Sequence, residues 1–325
     1  RRQNKGEVQV TTSPEYQDRF RLALDRLGVS GDDRILLAVS GGPDSLALLL
    51  LACRWSTERV FVATVDHRLR PESADEAIYV SEICERLGVQ HLTLTPPEPI
   101  SGNIQSSART ARYRLLEETA DQRGCSLIAT AHHGDDQLET MLMRLARGSG
   151  VDGMAGIRAR NGRIIRPLLD FAKSELEAIC ETAAIQPIRD PSNDNTDFDR
   201  VAMRQWLAQS DTPFDRLATN RTASALADAG VALDWMAEQL VGERITEKDG
   251  RIILDTEDLP KEIQRRLLLL ALNRVDPHIA PRGEALERLM AGLKAGKTVT
   301  IGDILCRGGD GWHFTSAPPR RTSGQ

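Results

Sequence analysis

Short apolar runs alternate with longer amphipathic segments along the first half of the chain. Four of these runs have the length of buried strands, which predicts a strand at residues 34–39, 59–65, 90–95 and 126–131. The segments between them predict helices, at residues 44–54, 71–87, 104–122 and 135–147. Because strands that alternate with helices form parallel βαβ units, the pattern predicts an α/β fold with a doubly wound, mainly parallel sheet.

The pattern changes after residue 190, where helical spacing continues without strand-length runs between the segments. Helices are predicted within residues 198–243, 261–272 and 282–293, and short strands in TVTIGDILCR and GWHFTS. This indicates a second, smaller, mainly helical domain that ends in a β-hairpin. The predicted organisation is a tail at 1–12, domains at 13–206 and 207–316, and a disordered tail at 317–325.

The composition excludes several classes of protein. With 40% hydrophobic and 27% charged residues among 325, the chain has an ordinary globular make-up. It has no apolar run that could span a bilayer, and the start RRQNKGEVQV does not resemble a secretory signal, so we expect a cytoplasmic protein without a membrane partner. The five cysteines are far apart and never form C-x-x-C, which predicts buried structural thiols rather than disulfides or a zinc site.

The first candidate site is the sequence SGGPDS, which separates a predicted strand from a predicted helix. Gly41 and Gly42 let the backbone approach a ligand closely, and free N–H groups at a helix start attract anions. Ser40 and Ser45 add hydroxyl donors. Asp44 suits such a site if Mg²⁺ bridges it to a phosphate, and the alternative is that it caps the helix. The lysine of the common phosphate-binding loop is missing.

The second candidate site is ATAHHGDDQLET, from Ala129 to Thr140, where the fourth strand gives way to a helix. His132 and His133 lie in the turn, and Asp135, Asp136 and Glu139 lie in the first helical turns. These acids could form a pocket for a cation beside the nucleotide. The alternative is a capping box over Asp136-x-x-Glu139, since acids stabilise a helix start.

Arginine is concentrated in two segments, although the net charge is −5. Residues 100–115 contain Arg109, Arg112 and Arg114 with no acid, and residues 144–166 contain six arginines against Asp152 alone. Arginine binds phosphate groups bidentately, so these segments predict contacts with nucleic acid or nucleotide. The alternative is an ordinary solvated surface.

These motifs resemble those of a known family. LAVSGGPDS looks like the signature of the PP-loop ATP pyrophosphatases, and the full set resembles the tRNA(Ile)-lysidine synthetases. That set comprises VDHRLR with Asp66-His67, the A-R-x-x-R-Y helix from Ala108, HHxDDQxET, RGSG, RPLL at Arg166–Leu169 and D-x-SN at Asp190–Asn193. One departure is Val201, which stands where the family motif R-N-x-x-R has asparagine, between Arg200 and Arg204.

The resemblance implies that the wobble cytidine of tRNA(Ile) with a CAU anticodon is adenylated by ATP and then attacked by L-lysine. It implies ATP contacts at Ser40, Gly41, Gly42, Pro43, Asp44, Ser45, Asp66 and His67, with Mg²⁺ at Asp44. It implies catalytic roles for Asp44, His132, His133, Asp136, Arg109 and Arg112. Lysine would bind at Asp135, Asp136 and Glu139, and tRNA at Arg144, Arg147, Arg166, Arg200 and Arg204. Residues 13–206 would form the PP-loop ATP-binding catalytic domain, and residues 207–316 a tRNA-binding domain. A homodimer is left open.

Three other functions remain open at this point. A tRNA thiolation enzyme would share the loop, but the missing C-x-x-C counts against it. An ammonia-using synthetase of a small metabolite would not need the arginine segments. A non-catalytic nucleotide-binding module requires Asp44 to be only a helix cap.

Overall fold

The computed structural model describes residues 12–69, 72–98, 104–188, 199–209, 213–281 and 283–317. The predicted tails fall almost wholly outside these residues, as does the motif at Asp190–Asn193. The described residues divide into two compact units, one up to residue 225 and one from residue 226. The predicted domain boundary at 206/207 lies before this division. No helix in the described ranges is long and apolar enough to cross a membrane.

The first unit contains a six-stranded sheet with helices on both faces. In chain order its elements are α1 (Pro14–Arg26), β1 (Ile35–Ala38), α2 (Pro43–Ser56), β2 (Val60–Val65), α3 (Ser73–Leu87), β3 (Gln90–Leu94), α4 (Ile104–Arg123), β4 (Leu127–Ala129), α5 (Gly134–Ala146), α6 (Val151–Met154), β5 (Arg160–Asn161), β6 (Ile164–Ile165), α7 (Lys173–Thr182), α8 (Asp199–Gln209) and α9 (Arg216–Arg244), which belongs to the other unit from Leu226 onward.

The strand order is β3-β2-β1-β4-β6-β5, and every neighbouring pair is parallel except β5–β6. The predicted doubly wound, mainly parallel sheet is therefore confirmed. Alternate residues of β1 enter opposite layers: Ile35 and Leu37 join the core with α1, α2 and α7, and Leu36 and Ala38 pack with α4. The central position of β1 explains why its sequence is apolar throughout.

Helix α2 is the most deeply packed helix of this unit, and it leads directly from the SGGPDS loop. Every residue from Ser45 to Cys53 is buried, so the helix has no polar face. A rigid, buried helix fixes the loop at the carboxyl end of β1. This end also receives the turns after β2 and β4, and ligands bind at this edge in open parallel sheets.

The second unit contains helices against one face of an antiparallel sheet. After α9 come β7 (Ile245–Lys248), β8 (Arg251–Leu254), α10 (Lys261–Val275), α11 (Gly283–Lys294), β9 (Thr298–Ile301), β10 (Ile304–Arg307) and β11 (Trp312–Ser316). The strand order is β7-β8-β11-β10-β9. The sequence predicted the helices and the terminal strands but not β7 and β8, so the predicted hairpin is part of a five-stranded sheet.

Candidate functional site

The SGGPDS loop is the turn from β1 into α2, and its glycines have different roles. Gly41 has a φ of +87°, and a Cβ there would lie 2.6 Å from the side chain of Ile188, so only glycine fits. A Cβ on Gly42 would meet only Ser40 Oγ, at 3.9 Å, so this position is open to a close approach from outside. Gly42 is the N-cap of α2 and supplies no capping side chain, which suits binding of an anion.

Ser45 holds the loop together. Its Oγ accepts the N–H of Ser40 at 3.1 Å and donates to the carbonyl of Gly42 at 3.0 Å, and the residue is buried. The buried hydroxyl of Ser45 therefore stabilises the turn. The predicted contact between Ser45 and ATP stays a prediction, and the geometry favours Ser40 as the hydroxyl nearer to solvent.

Asp44 lies in the first turn of α2 and faces the second motif. Its Oδ2 is 3.6 Å from Nε2 of His133, which brings the two motifs into one crevice. Its Oδ1 is buried without a hydrogen-bond partner. A buried carboxylate oxygen that lacks a donor fits a cation, whereas a capping acid would accept a backbone N–H. Within the described residues there is no cluster of three or more acids, histidines or cysteines that could hold a metal ion.

His133 is surrounded by acids. Its ring nitrogens lie 3.6 Å from Asp44, 3.6 Å from Asp135 and 3.5 Å from Asp136. Burial by itself would lower the pKa of His133, but these three carboxylates outweigh it and raise the pKa to about 10. His133 is therefore a buried imidazolium that neutralises part of the acid cluster. Because its side chain is 4% exposed, contact with a substrate is less suited to it than positioning of the acids.

The capping-box alternative is correct for Asp136 but not for Glu139. His133 is the N-cap of α5, and Asp136, three residues later, accepts the backbone N–H of His133 at 3.1 Å. The box therefore begins at His133 and not at Asp136, and Glu139 has no part in it. Asp136 both caps the helix and remains partly exposed, so its capping role does not remove it from the crevice.

Two of the predicted lysine-binding acids already have cationic partners. Asp135 accepts a bond from Arg216 Nε and one, at 2.8 Å, from the backbone N–H of Lys173. The buried carboxylate of Glu139 accepts two bonds from Arg204, from Nε at 2.8 Å and from the terminal nitrogen at 3.1 Å. Arg204 was predicted to bind tRNA, and here its guanidinium is engaged with Glu139.

Of the three predicted lysine-binding acids, Asp136 has the carboxylate with the weakest cationic contacts. Its contacts are the backbone N–H of His133, an ion pair with that imidazole, and Arg204 at 3.9 Å. Asp136 is therefore the acid best suited to an added ammonium group. The predicted lysine contacts at Asp135 and Glu139 stay predictions. The hydrogen bonds that these two carboxylates accept indicate a structural role for both residues.

The neighbouring His132 lies in the opposite electrostatic environment. Its Nδ1 shares a hydrogen bond of 3.0 Å with Thr130 Oγ1. Burial is the largest cause that lowers its pKa, Arg166, Arg112 and Arg109 lower it further, and Asp136 opposes them, so the pKa falls to about 4. His132 is therefore neutral at pH 7 and cannot itself balance negative charge.

The three arginines near His132 form a cationic cluster. Arg112 is half-buried, Arg166 is 8% exposed, and burial lowers the pKa of both guanidinium groups. Arg166 donates to the carbonyl of Arg158, and its Nε is buried without a partner. Arg109 lies over the ring of Tyr113, 5.0 Å from its centroid. None of the three forms an ion pair with a described acid, so a bound anion would complete the cluster.

Asp66 and His67 follow β2 at the same edge of the sheet. The carboxylate of Asp66 accepts the N–H of Arg68 at 2.8 Å and the hydroxyl of Ser73 at 2.6 Å. Burial favours a higher pKa for Asp66, but these bonds outweigh it and the pKa is lowered. His67 is half-buried with an unpartnered Nδ1, and burial and Arg112 lower its pKa. Asp66 therefore orders the turn, and His67 is the member of the pair with a free nitrogen.

The remaining predicted tRNA-binding arginines differ in exposure. Arg144 and Arg147 are exposed near the end of α5, whereas Arg166 is buried in the cationic cluster, and the tRNA contact of all three stays a prediction. The side chain of Arg200 lies outside the described residues. Beside Arg147, a mainly apolar pocket of about 370 Å³ lies between α5 and α8. Its lining residues are Met143, Ala146, Arg147, Ala202, Met203 and Trp206.

The cysteines confirm the structural interpretation. All five are buried and free, and burial raises the pKa of Cys53, Cys84, Cys180 and Cys306 to about 12. Thiols with such pKa values are poor nucleophiles at neutral pH. The sulfur-transfer alternative therefore has no reactive cysteine to use among the described residues.

Comparison with known proteins shows the family and the fold of the chain. Residues 13–210 match the model of a family described as a PP-loop domain. The chain is 39% identical to a tRNA(Ile)-lysidine synthase of Zymomonas mobilis, over 98% of each chain, and 40% identical to one of Novosphingobium aromaticivorans, over 94% of each. A U34-tRNA thiolase from Methanococcus maripaludis shares the fold, with a TM-score of 0.56 and 16% identity over 66% of this chain and 78% of that one.

Proposed function

Since this chain belongs to the tRNA(Ile)-lysidine synthases, we propose that the crevice at the ends of β1 and β4 joins the ε-amine of free lysine to a cytidine of tRNA(Ile). The protein is a PP-loop ligase that uses ATP and forms a C–N bond. The observation that carries the residue-level proposal is the approach of Asp44 to His133, which joins the ATP loop to the acid cluster.

The chemistry has two steps. In the first, the carbonyl oxygen at C2 of cytidine attacks the α-phosphorus of ATP, an O–P bond forms, and pyrophosphate leaves. In the second, the lysine amine attacks C2, a C–N bond forms, and the C–O bond breaks to release AMP. The amine loses a proton in this step, so the site needs a group that accepts it.

The phosphates are assigned to the loop and the cationic cluster. The start of α2 offers backbone N–H groups beside Gly42, where nothing blocks a close approach. Arg112 and Arg166 lack an acidic partner among the described residues, and they would stabilise charge that develops on the α-phosphate. Neutral His132 would add a hydrogen bond but no charge.

The amine is assigned to Asp136. A carboxylate beside an ammonium group raises the pKa of that amine, so the same acid must also accept its proton before attack. Asp136 has the least committed carboxylate of the three acids, whereas Arg216 and Arg204 engage Asp135 and Glu139. The imidazolium of His133 holds Asp44 and Asp136 near the same ring nitrogen, Nε2, at 3.6 and 3.5 Å.

Mg²⁺ is part of the proposal. The unpartnered Oδ1 of Asp44 is the oxygen that would hold it. When bound, the ion would neutralise charge on the phosphates and support the departure of pyrophosphate.

The tRNA is assigned to the exposed end of α5. Arg144 and Arg147 lie there, and the pocket beside them offers Trp206, which is 49% exposed, as a surface on which an unstacked base could lie. This end is one to two helical turns beyond Glu139. A cytoplasmic location, where tRNA is used, belongs to the proposal, and a homodimer stays a prediction.

The test is mass spectrometry of tRNA(Ile) bearing a CAU anticodon after incubation with ATP, Mg²⁺ and lysine. We expect lysidine with all components present, adenylated tRNA when lysine is omitted, and neither product without ATP. The proposal would be refuted if only products that do not require lysine were formed, or if ammonia were consumed instead of lysine.

A further inference from the structure

Gln137 belongs to the second motif, yet its side chain is buried and bonds to the backbone of another segment. It lies on α5 one turn after His133 and is 1% exposed. Its Oε1 accepts the backbone N–H of Ile157 at 2.7 Å, and its Nε2 donates to the carbonyl of the same residue at 3.0 Å. A longer bond, of 3.4 Å, joins Nε2 to Asn220 Oδ1. Since both polar atoms are buried and bonded, Gln137 is not suited to contact a substrate itself.

The segment that Gln137 holds is shaped to fit its amide. Ile157 lies between α6 and β5, outside any helix or strand, and the amide satisfies both of its backbone groups. Gly156 precedes it with a φ of +60°, and a Cβ there would lie 2.3 Å from Gln137 Oε1, so only glycine lets the backbone come this close. The amide and this glycine together fix the backbone at residues 156–157.

The two residues that follow Ile157 hold Arg166. The carbonyl of Arg158 accepts a bond from the guanidinium of Arg166, and the carbonyl of Ala159 accepts its backbone N–H at 2.9 Å. Arg166 belongs to the cationic cluster, and of the three arginines it lowers the pKa of His132 most. Because the guanidinium bonds to a carbonyl one residue beyond Ile157, a shift of that backbone would move the charge of Arg166.

We propose that Gln137 is a positioning residue for adenylation, which holds the guanidinium of Arg166 beside the α-phosphate through the backbone of residues 157–158. The proposal rests on the proposed function, in which Arg166 stabilises charge on that phosphate. A preorganised donor stabilises charge that develops in the transition state, so loss of the amide should act on kcat more than on KM for ATP. Neighbouring residues of α5 then serve both sides of the crevice, Asp136 the acidic side and Gln137 the cationic side.

The test is a double-mutant cycle between Gln137→Met and Arg166→Met, with pyrophosphate release on an unmodified tRNA(Ile) transcript as the measure of adenylation. Methionine has a similar length but no amide. We expect Gln137→Met alone to lower kcat about tenfold, with KM for ATP changed less than about twofold. In the Arg166→Met background it should lower kcat less than about twofold further. An equal effect of Gln137→Met in both backgrounds would overturn the proposal.

The pKa of His132 provides a readout that a loss of stability alone would not change. Since Arg166 lowers this pKa, we expect it to rise in Gln137→Met from about 4 toward 6.5, without reaching 6.5 because His132 stays buried. Nuclear magnetic resonance measures it on the full chain without substrate. An unchanged pKa in Gln137→Met would overturn the proposal. If the unaltered chain adenylates no tRNA, the proposed function fails, and this pKa still decides whether Gln137 positions Arg166.

A second variant disturbs the same contact without altering Gln137. The added methyl group of Gly156→Ala would push the amide away, so this variant should reproduce the lower kcat and the higher pKa of His132 even if Gln137→Met does not fold. The matched control is Gly162→Ala, which has a similar φ of +58° but nothing within 4 Å of the added Cβ. We expect its kcat to stay within about twofold of the unaltered chain. Equal kcat values for the two glycine variants would contradict the proposal.

Discussion

The two sides of the crevice impose opposite charge states on adjacent histidines. On the acidic side, His133 lies among Asp44, Asp135 and Asp136, and its pKa rises to about 10. On the cationic side, burial and the arginines lower the pKa of His132 to about 4. Both residues belong to one turn and both are largely shielded from water, so burial does not explain the difference. The sign of the neighbouring charges does.

The contrast shows how one crevice can hold an anion and a cation together. The arginines lack an acidic partner among the described residues and would accept phosphates, while the acidic side keeps a carboxylate for an amine. Each side would be destabilised without its ligand if its charges were not partly balanced. His133 supplies that balance for the acids, and Arg204 and Arg216 supply more.

The largest expected effect comes from Asp44→Asn, which changes the acid through which the SGGPDS loop contacts His133 on the acidic side. We expect adenylation of tRNA to fall on the order of a thousandfold, because the loop would lose the carboxylate proposed to hold Mg²⁺ near the phosphates. Pyrophosphate release measures the loss, and filter binding should show nearly unchanged affinity for tRNA. The control is Asp18→Asn, an exposed acid of α1. Normal turnover in Asp44→Asn would contradict the metal role.

Asp136→Asn should separate the two steps. We expect lysidine formation to fall about a hundredfold, because the amine loses its proton acceptor, while adenylation without lysine continues. Mass spectrometry of the tRNA should then find the adenylated intermediate accumulating. Glu139→Gln is the comparison: it should instead lower the free energy of unfolding by about 1 kcal/mol, because Arg204 loses its closest carboxylate and keeps the contact with Asp136 at 3.9 Å. Equal loss of both steps in Asp136→Asn would favour a purely capping role.

Arg112→Lys tests the cationic side. Lysine keeps the charge but not the planar fork of donors, so we expect adenylation to slow about tenfold, and Arg112→Ala to slow it further. Arg112→Ala should also raise the pKa of His132, since that guanidinium helps to lower it. Nuclear magnetic resonance of the imidazole protons measures this change. If the pKa of His132 is unchanged in Arg112→Ala, Arg112 does not contribute to the electrostatic environment of His132.

The smallest expected effect is on stability against pH. The pKa of His133 is raised from 6.5 to about 10, so its stabilising contribution is full below 6.5 and disappears as the pH rises through 10. The pKa of His132 is lowered from 6.5 to about 4, so stability falls as the pH drops across that window. Denaturant unfolding should show His133→Gln flattening only the alkaline slope and His132→Gln only the acidic one. If His133→Gln changed only the acidic slope and His132→Gln only the alkaline one, the charge states assigned to the two histidines would have to be exchanged.

Much of the fold could be predicted because its signals are local. The apolar run of β1, the glycines of the loop and the start of α2 are contiguous, and each specifies its own backbone geometry. The hairpin of β7 and β8 was missed although its signal was present. Asp249 and Gly250 have φ values of 52° and 69°, and such an Asp-Gly pair between strands is typical of a tight hairpin turn.

The site could be predicted less fully because its partners come from distant parts of the chain. The motif identified Asp135 and Glu139, but Arg216 and Arg204, which engage them, are 81 and 65 residues away. Arg166 was expected to be a tRNA contact, and only the fold shows that it is buried beside His132. Protonation states depend on such neighbours, so sequence alone could not distinguish His132 from His133.

The most direct test of the two-sided crevice is a crystal structure with a non-hydrolysable ATP analogue, Mg²⁺ and lysine bound. We expect the phosphates between the start of α2 and Arg112, and the lysine ammonium within hydrogen-bond distance of Asp136. Phosphates on the Asp136 side, or an amine that pairs with none of the acids around His133, would contradict the account.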